Sequence, residues 1–263
     1  IAHHMGAVAA VLGRLLGKPV VLKFSGWWEA ERGSLRPQGL GPRLSRLLLR
    51  QASAVQAIST RIGRDVEGYG FPAQRVHWLP NAVNPQRFLA LQPAFPEQAT
   101  LRRAVFVGRL VPEKALDVLL RAWAQALGER PDWRLRLVGD GAEEAALRAL
   151  AARLGIADRV EFAGRSSAVE QHLVEAEVGL LPSRFEGLSN TLLEYLCAGL
   201  PAVASRISGS EDFVRPGETG WLCEPGDVDS LAAALRAMAG ASPAESAALG
   251  AGARRFVLAQ AGL

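Results

Sequence analysis

Glu186 and Glu194 stand eight positions apart in the run Pro-Ser-Arg-Phe-Glu-Gly-Leu-Ser-Asn-Thr-Leu-Leu-Glu-Tyr. An acid followed by glycine opens a helix here, and the second acid falls on that helix's second turn. Gly187, Leu188, Ser189 and Asn190 precede or begin the helix. Backbone N–H groups at such a position lack intrahelical acceptors and carry the positive end of the helix dipole. That end binds phosphate. Ser189 either caps the helix or turns its hydroxyl to a ligand. The Glu194 carboxylate is suited to accept hydrogen bonds from ribose hydroxyls, and Glu186 to reach the sugar side of a diphosphate. The plainer alternatives are an exposed helix residue for Glu194 and a favourable N-terminal charge for Glu186. Phosphate charge and hydroxyl groups together describe a ligand such as a nucleotide sugar.

Two further clusters fit the same ligand. In Val107-Gly108-Arg109-Leu110-Val111-Pro112-Glu113-Lys114, Gly108 lets the backbone turn closely. Arg109 and Lys114 are suited to face one anion, the first as a planar fork and the second as a point charge. Alternatively, Arg109 pairs with Glu113 and Lys114 is a surface charge. In Leu137-Val138-Gly139-Asp140-Gly141, a strand ends in Gly-x-Gly. Gly139 and Gly141 form half of a dinucleotide fingerprint without its third glycine. A tight strand-to-helix turn explains them equally well.

These residues need elements to hold them. Short apolar runs alternate with helical patterns along the whole chain. In the first part, strands at Pro19–Phe24, Ala54–Ser59 and Arg75–Leu79 alternate with helices at Gly6–Leu16, Leu40–Gln51 and Thr60–Tyr69. From Asn84 to Arg102 the periodicity fades and Pro85, Pro93 and Pro96 occur, which marks a linker. Alternation then resumes with strands at Ala104–Gly108, Trp133–Val138, Arg159–Phe162, Val178–Pro182, Pro201–Ser205 and Gly220–Cys223. Helices are expected at Ala115–Leu127, Glu143–Leu154, Ser167–Ala176, Asn190–Ala198, Val228–Met238 and Pro243–Leu258. Strands separated by helices imply parallel pairing through right-handed crossovers. Runs without polar alternation imply sheets covered on both faces. The expected fold class is therefore α/β, with two doubly wound parallel-sheet (Rossmann-like) domains, 1–95 and 96–263. Ile1-Ala2-His3-His4 reads as a strand end entering a helix, so the first domain is expected to be incomplete and the sequence a fragment. Ligands of such folds sit at the carboxyl ends of strands near a switch in strand order.

Composition narrows the function classes. The 263 residues carry a net charge of +4, a pI near 9.6, and lysine at Lys18, Lys23 and Lys114 alone. The arginines are scattered, and no zinc finger, basic heptad or aromatic RNA-binding motif accompanies them, so nucleic acid is not an expected partner. Cys197 and Cys223 lie too far apart for zinc spacing and fit a reducing compartment. No apolar run reaches the ~18–20 residues of a membrane span, and no signal peptide is evident. No Ser–His–Asp order, Walker motif or metal-chelating acid cluster can be assembled. His77 reads as structural and His172 as solvated. Trp27 and Trp28 either stack on a sugar or lipid acceptor or are buried.

Taken in order, these motifs resemble glycosyltransferase family 4, retaining enzymes of the GT-B fold. The resemblance also rests on Leu79-Pro80-Asn81-Ala82-Val83-Asn84, on Ala198 through Ser205, and on Gly217-Glu218-Thr219-Gly220-Trp221-Leu222. It covers nearly the whole chain and is densest from Leu79 to Leu235. It implies a hexosyltransferase-type enzyme that moves a sugar from a UDP- or GDP-linked donor to a glycan or lipid-linked acceptor hydroxyl with retention. Arg109 and Lys114 would hold the diphosphate, Glu186 would lie near the transferred sugar and Glu194 would bind ribose. Amides of Gly187, Leu188, Ser189 and Asn190 would meet phosphates and sugar, with Gly108, Gly139 and Gly141 beside them. Arg165 and its neighbours would contact the base. No metal and no cofactor is implied, because the cations and the helix end neutralise the developing charge. The expected setting is cytoplasmic, with peripheral contact to an anionic membrane face. The chain departs from the family in lacking its first strand and glycine-rich loop. Ser25 and Gly26 stand where many members place a histidine, and the final helix is cut short. A nucleotide-sugar epimerase of the same fold and a non-catalytic nucleotide-binding fragment are the rival readings.

Overall fold

Periodicity in the sequence becomes two parallel sheets in the computed structural model, which describes residues 4–26, 40–93, 95 and 101–262. The chain divides into two units: residues 1–81 with Glu186–Leu188, and residues 82–185 with 189–263.

In the first unit, helix α1 (His4–Leu15) precedes strand β1 (Val21–Phe24), and α2 (Leu40–Leu49) precedes β2 (Ala54–Ala57). Helix α3 (Thr60–Gly68) then leads to β3 (Val76–Trp78). The three strands pair in parallel in the order β1-β2-β3. Ser59 begins α3 as the sequence leads one to expect of a cap, its Oγ accepting from the Ile62 N–H at 3.2 Å. Phe24 and Phe71 meet edge to face over this sheet.

The second unit holds a six-stranded parallel sheet in the order β6-β5-β4-β7-β8-β9. Its strands are β4 (Arg102–Val107), β5 (Trp133–Val138), β6 (Val160–Gly164), β7 (Val178–Leu181), β8 (Ala202–Ser205) and β9 (Gly220–Cys223). The helices between and after them are α4 (Leu116–Leu127), α5 (Glu144–Arg153), α6 (Val169–Val174), α7 (Asn190–Ala198), α8 (Ser210–Phe213), α9 (Val228–Gly240) and α10 (Pro243–Ala261). β7 and β8 are buried at every position, as strands covered on both faces must be. Trp123 and Trp133, both nearly inaccessible, pack edge to face in the core, and Arg102 lies over the Trp133 ring while its guanidinium pairs with buried Glu177 at 2.8 Å.

Three differences from the sequence expectations have plain causes. Helix α8 was not anticipated, because four residues carry too little periodicity to register. Helix α6 is shorter than expected, starting at Val169 because the Ser166 Oγ accepts from the Ala168 N–H and keeps the preceding turn out of the helix. The sequence places a boundary at 95/96, whereas the compact units part between Asn81 and Ala82. Residues 82–91 are drawn to the second unit by the Val83 N–H, which donates to the Ala261 carbonyl at 3.0 Å, and by Arg254, which donates to the Leu91 carbonyl at 2.7 Å. Trp27, Trp28 and His3 lie outside the described residues.

Candidate functional site

The sheet order reverses at β4: β5 and β6 lie on one side, β7 to β9 on the other. At such a switch point the loops that leave the carboxyl ends diverge and open a crevice. On the β4-β5-β6 side three of these loops are laced together through their backbones. The Gly108 N–H donates to the Val138 carbonyl at 2.9 Å, Leu110 N–H to the Asp140 carbonyl at 2.7 Å, and Gly139 N–H to the Gly164 carbonyl at 2.8 Å. The Glu143 N–H returns to the Leu110 carbonyl at 3.1 Å. The result is a cleft of about 410 Å³ lined by Gly108, Arg109, Gly139, Asp140, Arg165 and Ser166, among others. Four residues singled out in the sequence thus share one cleft: Gly108, Arg109, Gly139 and Arg165.

Glycine at 139 has a local reason. Its φ is +140°, and a Cβ there would sit 1.9 Å from the Gly108 carbonyl oxygen. At Gly141 a Cβ would crowd the Leu110 carbonyl at 2.2 Å. The glycines let two loops touch, so the tight turn and the cleft beside it are built by the same contact.

Lys114 ends a short 3-10 turn, Pro112–Lys114, and Ala115 follows in the left-handed region at φ 51°. Burial pushes the Lys114 ammonium down to about 8, the nearby Arg109 guanidinium adds to the fall, and Glu113 opposes it. Among the described residues no ion pair joins Arg109 to Glu113. Across the switch point the Arg184 N–H donates to the Glu113 carbonyl at 2.9 Å, and its guanidinium reaches both Asp117 carboxylate oxygens at 3.0 and 3.1 Å. The turn bearing Lys114 is thereby tied to the loop after β7.

Ser189 is the N-cap of α7, yet its side chain makes no capping bond. Of the two readings of Ser189, the side-chain cap is not formed. Asn190 is the exposed first residue of the helix. Glu194 is half-buried, and burial raises its carboxyl above the usual range; Arg87 lowers it and Glu170 raises it. Arg87 and Glu170 are themselves bonded, Nε to Oε1 at 2.7 Å, over 83 positions of sequence. No local signal announces that pair.

Glu186, Gly187 and Leu188 are members of the first unit. There Gly187 lies against the Ser25 carbonyl, where a Cβ would come within 2.0 Å of the oxygen, and the Leu188 carbonyl accepts from Asn81 Nδ2 at 3.1 Å. Asn81 Oδ1 in turn accepts from Lys23 Nζ at 3.1 Å. Asn81 was quoted for its motif but given no task; its amide fixes this loop. Glu186 is half-buried. Of the histidines, His77 is exposed on edge strand β3, so it takes no part in a core. His172 is half-buried 3.5 Å from Arg136, and burial with that cation lowers its pKa, so full solvation does not hold for it. Both corrections arise because strand and helix patterns do not say which side chains neighbouring elements will cover.

A doubly wound parallel sheet with a cleft at the point where its strand order reverses defines an α/β protein of the class that binds ligands at strand carboxyl ends. The family can be stated. The sequence profile described as Glycosyl transferases group 1 matches residues 102–240, and that described as Glycosyl transferase 4-like domain matches residues 1–82. The chain belongs to the group 1 glycosyl transferases.

It is 37% identical over 211 residues to an exopolysaccharide phosphotransferase of Streptomyces coelicolor, covering 78% of this chain and 22% of that protein. It is 33% identical over 182 residues to the lipopolysaccharide 1,6-galactosyltransferase of Salmonella typhimurium, covering 66% and 49%. The chain spans less than half the length of both relatives. In fold it superposes on HepE from Anabaena in complex with UDP, with a TM-score of 0.85, 22% identity, and coverage of 98% of this chain and 72% of that one. The lipopolysaccharide galactosyltransferase WaaB, in apo form, gives a TM-score of 0.74 at 25% identity, over 95% and 69%. These solved GT-B structures confirm the expected α/β, two-sheet architecture.

Gly139→Ala is expected to destabilise the second unit by about 2 kcal/mol or more, because a backbone oxygen must move to admit the methyl. Thermal or urea unfolding reads this, and a variant as stable as wild type would show that the loops do not touch as described.

Proposed function

We propose that this chain carries the donor site of a metal-independent, retaining glycosyltransferase that takes a UDP- or GDP-linked sugar and glycosylates a glycan or lipid-linked hydroxyl. The observation that carries the reading is the Arg109–Lys114 pair on the loop after β4, at the crevice where the strand order reverses. Two neighbouring cations, one of them with its pKa pushed down to about 8, form a site that a diphosphate would relieve. The α7 N-terminus adds unsatisfied amides from Ser189 and Asn190 and the positive end of a dipole.

In this reading each group has a separate task. Arg109 and Lys114 neutralise charge that grows on the diphosphate as the bond to the sugar breaks, which is transition-state stabilisation by preorganised charge. Glu194 accepts from ribose hydroxyls, and its raised pKa suits a carboxylate waiting for donors. Gly108, Gly139, Gly141 and Arg165 border the base and ribose. Glu186, with the Gly187 and Leu188 amides, serves the transferred sugar, as the resemblance implies; Glu186 precedes the N-cap of α7 by three positions. No cofactor enters the scheme. The acceptor class is supported by relatives named for exopolysaccharide and lipopolysaccharide chemistry.

The expected setting is cytoplasmic, at the inner membrane face. Among the described residues no helix is long and apolar enough to cross a membrane. Residues 1–81 hold eleven of the thirty Lys and Arg but four of the twenty-six Asp and Glu. A segment so biased is attracted to anionic lipid, at about 1 kcal/mol per basic residue near the surface. Co-sedimentation with phosphatidylglycerol vesicles at low salt, lost at high salt and absent with neutral vesicles, is the expected outcome; equal behaviour with both lipids would remove the membrane from the proposal.

The transfer itself is tested with a panel of UDP- and GDP-sugars and a lipid-linked acceptor, following release of nucleoside diphosphate and product anomeric configuration. Turnover is expected to survive EDTA and to fall about 100-fold in Lys114→Met and Arg109→Ala. Inverted product or metal-dependent turnover would contradict the mechanism, and neither binding nor turnover with any donor would sink the reading.

Lys114 also predicts a pH signature. Bound diphosphate favours the charged ammonium, so nucleotide affinity is expected to fall as pH rises from 7.5 to 9.5, at most roughly tenfold per unit. Stability of the ligand-free protein moves the other way. Folded Lys114 is pushed down to about 8 from its ordinary 10.5, so the unfolded chain binds more protons between those values and stability rises with pH there. Calorimetric titration of UDP or GDP across this range, with Lys114→Met as the flat control, decides it; a pH-independent wild type would exclude Lys114 from the phosphate site.

A further inference from the structure

Beyond Val105, β7 stops pairing with β4: the register joins Ala104 to Val178 and Val105 to Gly179 and goes no further, while β5 continues alongside to Val107. The Gly108 N–H faces β5, where it reaches the Val138 carbonyl. The Val107 N–H, one residue earlier, turns to the side that β7 has left. A buried backbone donor without a partner is costly. Here the partner is a side chain: the Tyr195 hydroxyl accepts from the Val107 N–H at 2.7 Å. Tyr195 is on α7, immediately after Glu194, and its ring is wholly buried. The space comes from Gly179 in β7, where a Cβ would lie 2.2 Å from the ring carbon Cδ2. Strand, hydroxyl and glycine thus form one joint between α7 and the end of β4. The next two residues along β4 are Gly108 and Arg109.

We propose that Tyr195 is a positioning residue for the donor site, its hydroxyl fixing the Gly108–Arg109 turn relative to Glu194; this rests on the donor-site reading above. Helix α7 carries both the candidate phosphate amides and the ribose carboxylate, and Arg109 sits on the facing loop. Among the described residues, the Val107–Tyr195 hydrogen bond joins the strand that leads into that loop directly to α7.

Tyr195→Phe keeps the ring and removes the joint. Calorimetry with UDP and GDP separately is expected to show about tenfold weaker binding of the accepted nucleotide, with a Tm lower by roughly 2–6 °C. Gly179→Ala, which pushes the ring while leaving the hydroxyl, is expected to weaken binding in the same direction. A merely structural role is separated by Leu235→Ala, a core change in α9 that lowers Tm yet is expected to hold affinity within about twofold. Far-UV circular dichroism establishes that each variant is folded. Wild-type affinity in Tyr195→Phe would overturn the proposal, as would equal losses in Tyr195→Phe and Leu235→Ala. Should the wild-type protein bind neither nucleotide, the donor reading fails, and amide NMR still decides the joint. Faster Val107 exchange in Tyr195→Phe with shifts running through Gly108 and Arg109 supports the positional link, and changes confined to Val107 refute it.

Discussion

Backbone touching backbone at the carboxyl ends of β4 and β5 is the contact on which the candidate site depends. Gly139 approaches Gly108 so closely that no side chain fits, and Gly141 does the same to Leu110. Three loops become one rigid surface by hydrogen bonds that cost the protein no side chains. Arg109, Asp140, Arg165 and Ser166 line a cleft at that surface. Backbone held rigid in advance lowers the entropy cost of binding.

The same constraint explains which parts of the site were legible in the sequence. Gly108, Arg109, Gly139 and Arg165 follow strand ends, and strands of a doubly wound sheet announce themselves as short apolar runs, so the carboxyl-end rule finds these residues. Arg87, Glu170 and Tyr195 escape it. Their contacts join positions 83 and 88 residues apart, and no local pattern encodes a partner at that distance. The domain boundary shows the same limit. Proline spacing suggests a connecting segment, whereas residues 82–91 belong to the second unit, held there by the Val83–Ala261 and Arg254–Leu91 bonds.

Glycines illustrate a second limit. From sequence, Gly139-Asp140-Gly141 supports a ligand contact and a tight turn equally, and these were treated as rivals. The turn's requirement for glycine is the neighbouring loop, which leaves no room for a Cβ, and the joined loops border the cleft. Glycine in such a motif reports the packing of backbone first and a ligand only through it.

The placement of charge completes the argument. Lys114 is desolvated, sits near Arg109, and lies on a turn that Arg184 anchors from the other side of the switch point. Burial and a like charge both act against that ammonium, and Glu113 offsets them only in part. Asp117 already engages Arg184 and so is committed elsewhere. A protein keeps such a costly feature where the charge has work to do. An anion near Arg109 and Lys114 would favour the charged ammonium, and a doubly charged one more than a singly charged one. On the reading proposed above a diphosphate is such an anion, and it would hold the ammonium charged more strongly than a single carboxylate could.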